Sequence, residues 1–303
     1  MNAHSPTSPP IDVVMRTRDR LQFLPRAVAS LRAQTYRDWN LIILDSGDAG
    51  ATARWLEANP GRSGEALRHV PIAPGQLMGG LSNRGIAEGN APYVVLLDDD
   101  DTWHPRFLEC AMARLLARAD DPGCRGVACW TEMVYEEITD AGIIETRREI
   151  IDDRLRRITL PALATVNQFS PNSFVYERGA WEELGGYDES LPVLDDWEFN
   201  LRFLTRWDID LIPEPLAYWH RRPAAGGASD NSPFQEHEFH RARIINNAIR
   251  RKMSGQPSPM AELFLAGEIN WVQRDRLHRI LGKLTSTSRK VGRIDERMLR
   301  GQP

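Results

Sequence analysis

The chain has 303 residues, 42% of them hydrophobic and 26% charged, a balance that excludes a disordered or fibrous chain and allows a full buried core. Its formal net charge of −4 hides an asymmetry: residues 236–303 carry fourteen Lys or Arg against seven Asp or Glu, which leaves the first 235 residues near −11. Three cysteines without a CxxC pair (Cys110, Cys124, Cys129) argue against a disulfide framework or a zinc site and fit a reducing cytoplasm, and no apolar run approaches the ~18 residues of a membrane span.

Residues 1–10, MNAHSPTSPP, lack a basic start and an apolar core and read as a disordered leader. IDVVM then reads as a buried strand, followed by Leu21, Leu24, Val28 and Leu31 at helical spacing. The alternation repeats: LIIL before a helix near 50–58, LRHVPI before a helix near 81–89, and YVVLL before Pro105, which opens another helix. This predicts an α/β fold with a mainly parallel sheet flanked by helices, in which ligands gather beyond the carboxyl ends of strands. From residue 126 the pattern changes to a hairpin turning at Asp140 to Gly142, so the sheet becomes mixed. NSFVY reads as a strand, Asp195 to Leu204 as a helix, and IDLIP and PLAYW as two short closing strands. The core is expected over 11–222, a flexible loop or lid over 223–235, and a basic helical region over 236–303, with helices near 236–253 and 260–284.

The most pointed stretch is YVVLLDDDDTWHP, where Asp98, Asp99, Asp100 and Asp101 follow a strand. Two unit charges about 6 Å apart cost roughly 3 kcal/mol at an effective dielectric near 20, so a cation or solvent must relieve the cluster. If the run stays extended, Asp98 and Asp100 share one direction, and two carboxylates suit Mg²⁺ or Mn²⁺ completed by phosphate and water. The bland alternative is an acidic turn before the helix at Pro105, for which one Asp would suffice. A phosphatase of the haloacid dehalogenase type is a rival, with Asp98 as nucleophile and Asp100 as acid/base. It wants a lysine on the phosphoryl group, and the only lysines are Lys252, Lys283 and Lys290 in the basic tail.

Several stretches together resemble family 2 of the glycosyltransferases, with its GT-A fold, over about residues 11–222. VVMRTRDRLQFLPRAVASLRAQTYRDWNLIILDSGD resembles the opening strand, the helix and the acidic second-strand end. SNRGIAEGNAPYVVLLDDDDTWHP resembles the segment closing in Asp-x-Asp-Asp and Pro, and GGYDESLPVLDDWEFNLR resembles the Gly-Gly-Phe-Asp-Glu stretch and the Glu-Asp-Trp that follows it. The resemblance implies an inverting, metal-dependent transferase that moves a sugar from a nucleoside-diphosphate donor to a hydroxyl acceptor, in surface polysaccharide or glycolipid assembly. By it, Arg16, Thr17, Asp45 and Ser46 lie around the nucleotide base, Asp98 near ribose or metal with Asp99 beside it, Asp100 on the metal, and Asp196 is the catalytic base. Ser46 departs from the second Asp that often reads uracil, which leaves thymidine or guanosine donors open. A nucleotidyltransferase would want a basic Gly-rich loop that RTRDRLQ lacks, and a catalytically silent sugar-nucleotide binder would not require Asp196.

His220 in YWHRR is a further candidate toward metal or diphosphate, weighed against an ordinary loop histidine. Arg84, Arg221 and Arg222 have a claim on phosphate oxygens, weighed against solvated arginines, and Trp103 and Trp197 read as packing residues before sugar platforms. The basic region either packs on the core or rests on an anionic bilayer where lipid-linked saccharide acceptors reside, giving a cytoplasmic protein peripheral at the inner face of the membrane. Nucleic acid is not an expected partner, since the body is acidic and no recognition motif is evident.

Overall fold

The computed structural model describes residues 9–61, 65–223, 234–258, 260–265, 267–269, 273 and 276. The first half alternates as the periodicity predicts: β1 (Ile11–Thr17), α1 (Leu24–Arg32), β2 (Trp39–Asp45), α2 (Ala49–Ala58), β3 (Ala66–Pro71), α3 (Met78–Ala87) and β4 (Tyr93–Leu96). A two-residue strand β5 (Thr102–Trp103) precedes α4 (Phe107–Leu116). The second half holds the hairpin β6 (Cys124–Thr139) and β7 (Gly142–Ile150), then α5 (Leu160–Thr165), β8 (Phe174–Glu177), α6 (Arg178–Leu184), α7 (Asp195–Leu204), β9 (Asp208–Arg221) and α8 (Phe234–Met253).

One sheet runs β3-β2-β1-β4-β8-β6-β9-β5, with β7 paired to β6. The pairs β1–β2, β2–β3, β1–β4 and β6–β9 are parallel, whereas β8 joins β4 and β6 antiparallel, so the sheet is mixed as expected. Strand alternation divides the core. Ile11, Val13 and Met15 of β1 pack with Leu24, Val28 and Leu31 of α1 and Phe107 and Met112 of α4, while Val14 faces Ile86 of α3 and Phe199 and Phe203 of α7. The chain leaves β1 for β2 on one side and returns to β4 on the other, so the carboxyl ends of β1 and β4 form the switch point where α/β sheets bind ligands.

Two expectations need correction. The closing strands are one, β9, whose Pro213 and Pro215 lie where the register with β6 slips between Cys129 and Thr131; a bulge tolerates a missing N–H that a regular ladder would not. The segment 98–101 is not extended: the Asp101 N–H donates to the Asp98 carbonyl at 3.1 Å, closing a turn after β4. The short elements α5, α6 and β5 carry no periodicity long enough to read. The leader apart from residues 9 and 10, most of the expected lid (224–233) and residues 277–303 of the basic region lie outside the described residues.

The described part of the basic region packs on the core. Phe264 meets the Trp197 ring at 5.6 Å, and Arg241 of α8 donates to the carbonyls of Ala164 and Thr165 at the end of α5. Among the described residues no helix is long and apolar enough to cross a membrane.

Candidate active site

A cleft of about 650 Å³ opens beyond the ends of β1, β2 and β4, lined by residues 16–20, Ser46, Gln76 to Met78, Asp98, Asp100, Asp101, Trp219, Arg221 and His237. The β1–α1 loop reaches it through a tight approach: Asp19 takes φ 54°, its carboxylate accepts from the Asp48 N–H at 2.7 Å, and a side chain at Gly47 would collide with it.

Each carboxylate of the aspartate run has its own partner. Asp98 is gripped bidentately by Arg16, with both bonds at 2.7 Å. Asp99, fully buried, accepts from the Thr17 hydroxyl at 2.6 Å and from Arg20, and burial lifts its carboxyl to about 7. Asp100 lies between Arg20 at 3.2 Å and Arg222, and Asp101 accepts the His220 backbone N–H at 3.0 Å. Arginine side chains of the protein itself answer Asp98, Asp99 and Asp100, whereas burial and the charges of Asp100 and Asp98 push the Asp101 carboxyl well above its ordinary value.

Behind Asp100 lies a buried ionic group. Glu136 of β6 meets Arg26 of α1, Arg222 at 3.0 Å and the Nδ1 of His220 at 2.7 Å. Burial opposes its ionisation, but the bonds from His220 and Arg26 outweigh that and hold its carboxyl down at about 2. Arg26 also donates to the Asp100 carbonyl at 2.9 Å, and the Arg222 guanidinium sits 4.2 Å from the Phe23 ring centroid.

The α7 start supplies the other acidic pair. Asp196 accepts from the Asn167 amide at 2.8 Å, and burial pushes its carboxyl upward against the Trp197 backbone N–H and Asn167. Burial also raises Asp195, to about 7, although Arg16 stands 3.8 Å away. Arg16 therefore ties the strand-end Asp98 to the α7 acidic pair.

Of the residues singled out from the sequence, Arg16, Thr17, Ser46, Asp98 and Asp100 line the cleft together. Asp45 faces away, accepting from the Gly47 N–H at 2.9 Å and lying 3.3 Å from His69. Asp99 is buried beneath the cleft floor, and His220 has one ring nitrogen at Glu136 and the other 2.8 Å from the Thr102 hydroxyl. Arg84 pairs with Glu88 at 2.5 Å and borders a separate depression with Trp181 and Glu189. Arg222 is fully buried rather than solvated. Trp103 and Trp197 are buried packing residues, as read. Sequence reasoning missed Arg20, Arg26, Glu136, Asn167 and His237; only Arg20 left a signal, the alternation Arg16, Arg18, Arg20 after a strand.

Asp98 and Asp100 fit a hard cation in chemistry, since oxygen donors suit Mg²⁺ or Mn²⁺ and a nucleotide's phosphates and water can complete the shell. Among the described residues no three His, Cys, Asp or Glu side chains converge on one point, so a cation here would share Asp100 with Arg20 and Arg222.

The family model for glycosyl transferase family 2 matches residues 12–179. An uncharacterized glycosyltransferase, YwdF of Bacillus subtilis, is 24% identical over 203 residues, covering 67% of this chain and 71% of that one. The succinoglycan biosynthesis protein ExoO of Rhizobium meliloti is 25% identical over 197 residues, covering 62% and 54%. The chain spans between 30% and 71% of the length of the curated relatives it matches. Among solved structures, S. aureus TarS 1-349 with UDP-GlcNAc superposes with a TM-score of 0.57 at 14% identity, over 79% of this chain and 66% of that one. The mannosyltransferase PcManGT of Pyrobaculum calidifontis with GDP-Man and Mn²⁺ gives a TM-score of 0.57 at 17% identity, over 85% and 68%. These likenesses establish the GT-A fold of the mixed sheet and its flanking helices.

Proposed function

The chain belongs to glycosyl transferase family 2 and is a glycosyltransferase, and from that premise we propose that it moves a sugar from a nucleoside-diphosphate donor to a hydroxyl acceptor with inversion. The observation that carries this reading is the cleft at the β1–β4 switch point, where Arg16, Thr17, Ser46, Asp98 and Asp100 converge and where Arg16 also stands 3.8 Å from Asp195, the residue before Asp196 on α7. Relatives and neighbours lend it support: ExoO is named for polysaccharide biosynthesis, and TarS and PcManGT hold UDP-GlcNAc and GDP-Man. Assembly of a surface polysaccharide or glycolipid follows as the proposed setting, with residues 11–222 as the catalytic unit.

The acceptor hydroxyl attacks the anomeric carbon while the bond to the diphosphate oxygen breaks, and its proton passes to Asp196. A carboxyl made more basic by burial suits that role, a general-base contribution of about 10² to 10⁴-fold. Negative charge left on the diphosphate meets the guanidinium groups of Arg18 and Arg221 on the cleft wall. Asp98 and Asp100 would hold a divalent cation, Mn²⁺ or Mg²⁺, which when bound supplies Lewis-acid stabilisation of the leaving group. Ser46 lines the cleft in place of a second carboxylate, so guanosine and thymidine donors stand beside uridine ones.

Asp196→Asn is expected to bind donor normally while nucleoside diphosphate release falls by about 10² to 10⁴-fold, read with UDP-GlcNAc and GDP-mannose as probes. Near-normal release would reassign the base. A thermal-shift screen of nucleoside diphosphates with and without Mn²⁺ identifies the base, since a ligand of the native state raises the melting temperature. Stabilisation that needs both nucleotide and Mn²⁺ and is lost in Asp100→Ala supports the cation; equal stabilisation in that variant removes it from the mechanism.

A further inference from the structure

Asp196 takes its one side-chain hydrogen bond among the described residues from Asn167, whose Nδ2 donates to Oδ2 at 2.8 Å. The amide orientation is fixed by chemistry, because an ionised carboxylate only accepts and would repel the amide oxygen if the group were turned over. Asn167 follows α5, whose last carbonyls are all engaged. Leu163 accepts from the Trp197 indole at 2.7 Å, and Ala164 and Thr165 accept from Arg241 at 3.1 and 2.9 Å. The segment presenting the amide is thus clamped by the residue next to Asp196 and by α8. Asn167 Oδ1 is buried with no protein hydrogen-bond donor among the described residues, so the bond to Asp196 is the side-chain hydrogen bond that orients the amide there.

We infer that Asn167 is a positioning residue for glycosyl transfer, holding one oxygen of Asp196 so that the carboxylate is oriented and ionised when the acceptor hydroxyl arrives. This rests on the reading of Asp196 as the base. The other charged groups facing Asp196 are Asp195 on its own helix, Arg16 from β1 and His237 from α8. Arg16 favours the ionised carboxylate and Asp195 opposes it, and His237 adds positive charge only when protonated, which its burial disfavours; beside the Trp197 backbone N–H, Asn167 supplies the directional bond from a side chain.

The test reads Asp196 directly by carboxyl NMR on the full chain carrying ¹³C-labelled aspartate, with the signal assigned by its loss in Asp196→Asn. In Asn167→Ala the proton affinity of Asp196 is expected to rise about tenfold, and in Asn167→Asp further, because a second carboxyl then faces the first. Hydrolysis of the probe donors UDP-GlcNAc and GDP-mannose is expected to lose kcat with donor KM unchanged, the acid limb of the kcat profile moving to higher pH. A titration unmoved in both variants, with circular dichroism intact and Asp196→Asn inactive, overturns the role of Asn167 and leaves the base in place. A moved titration with Asp196→Asn fully active overturns both.

Discussion

Glu136 is the residue on which the arrangement around Asp100 turns. It is 4% exposed and meets Arg26, Arg222 and His220, so its charge holds two guanidinium groups against the β4 turn. Breaking a buried ionic group by removing one partner leaves the others unpaired and costs about 3 to 5 kcal/mol. Glu136→Gln is therefore expected to lower unfolding free energy by about 3 kcal/mol in urea titration. A loss under about 0.5 kcal/mol would mean that the arginines find equivalent partners. Nothing in the sequence distinguishes Glu136 from the exposed Glu137 beside it, because the distinction lies in contacts with Arg26 and Arg222, residues 110 and 86 positions away. The Asp98–Asp101 run was legible as a site but not in its wiring. Charge repulsion demands a counter-charge without saying whether a metal ion or an arginine provides it.

Elements were legible where apolar period was long and clean. β1, β2 and α7 read directly, since IDVVM and LIIL are buried runs and Asp195–Leu204 keeps Trp197, Leu201 and its neighbours on one face. β9 did not, because Pro213 and Pro215 signal a break wherever a bulge is not already known to accommodate them. The placement of α3 follows from a residue with no side chain. A Cβ at Gly85 would strike the side chains of Val14 on β1 and Leu44 on β2, so the helix lies against the sheet only because this position is glycine. Gly85→Ala is expected to cost about 1 to 3 kcal/mol by overpacking and to loosen the helix that carries Met78 and Leu81 into the cleft. Thermal melting and nucleotide thermal shift measure the two effects separately, and an unchanged melting temperature would mean that α3 can retreat without loss.

At the scale of the whole molecule, two buried acidic groups give stability opposite pH dependences, one through desolvation and the other through its ionic partners. Asp195 has an ordinary value of 3.8 and is raised by burial to about 7, so the folded state binds its proton more tightly than the unfolded chain. Stability from this group falls as pH rises between about 4 and about 7. Glu136 moves the other way, from 4.5 to about 2, held by His220 and Arg26 despite burial. Its contribution is complete above its ordinary value and is lost as pH falls toward the folded one. The two slopes oppose each other and leave a maximum in mildly acidic solution, at about pH 5, rather than at neutrality. Melting curves across this range are expected to fall on both sides of that maximum. Asp195→Asn should make the alkaline side shallower, with buried Asp99, also raised to about 7, keeping the remainder, and should leave the acid side intact, whereas Glu136→Gln should weaken the acid side. A melting temperature that climbs steadily to pH 8 in the parent protein would show that Asp195 and Asp99 are ionised in the fold at no cost, with Arg16 and Arg20 compensating their burial in full.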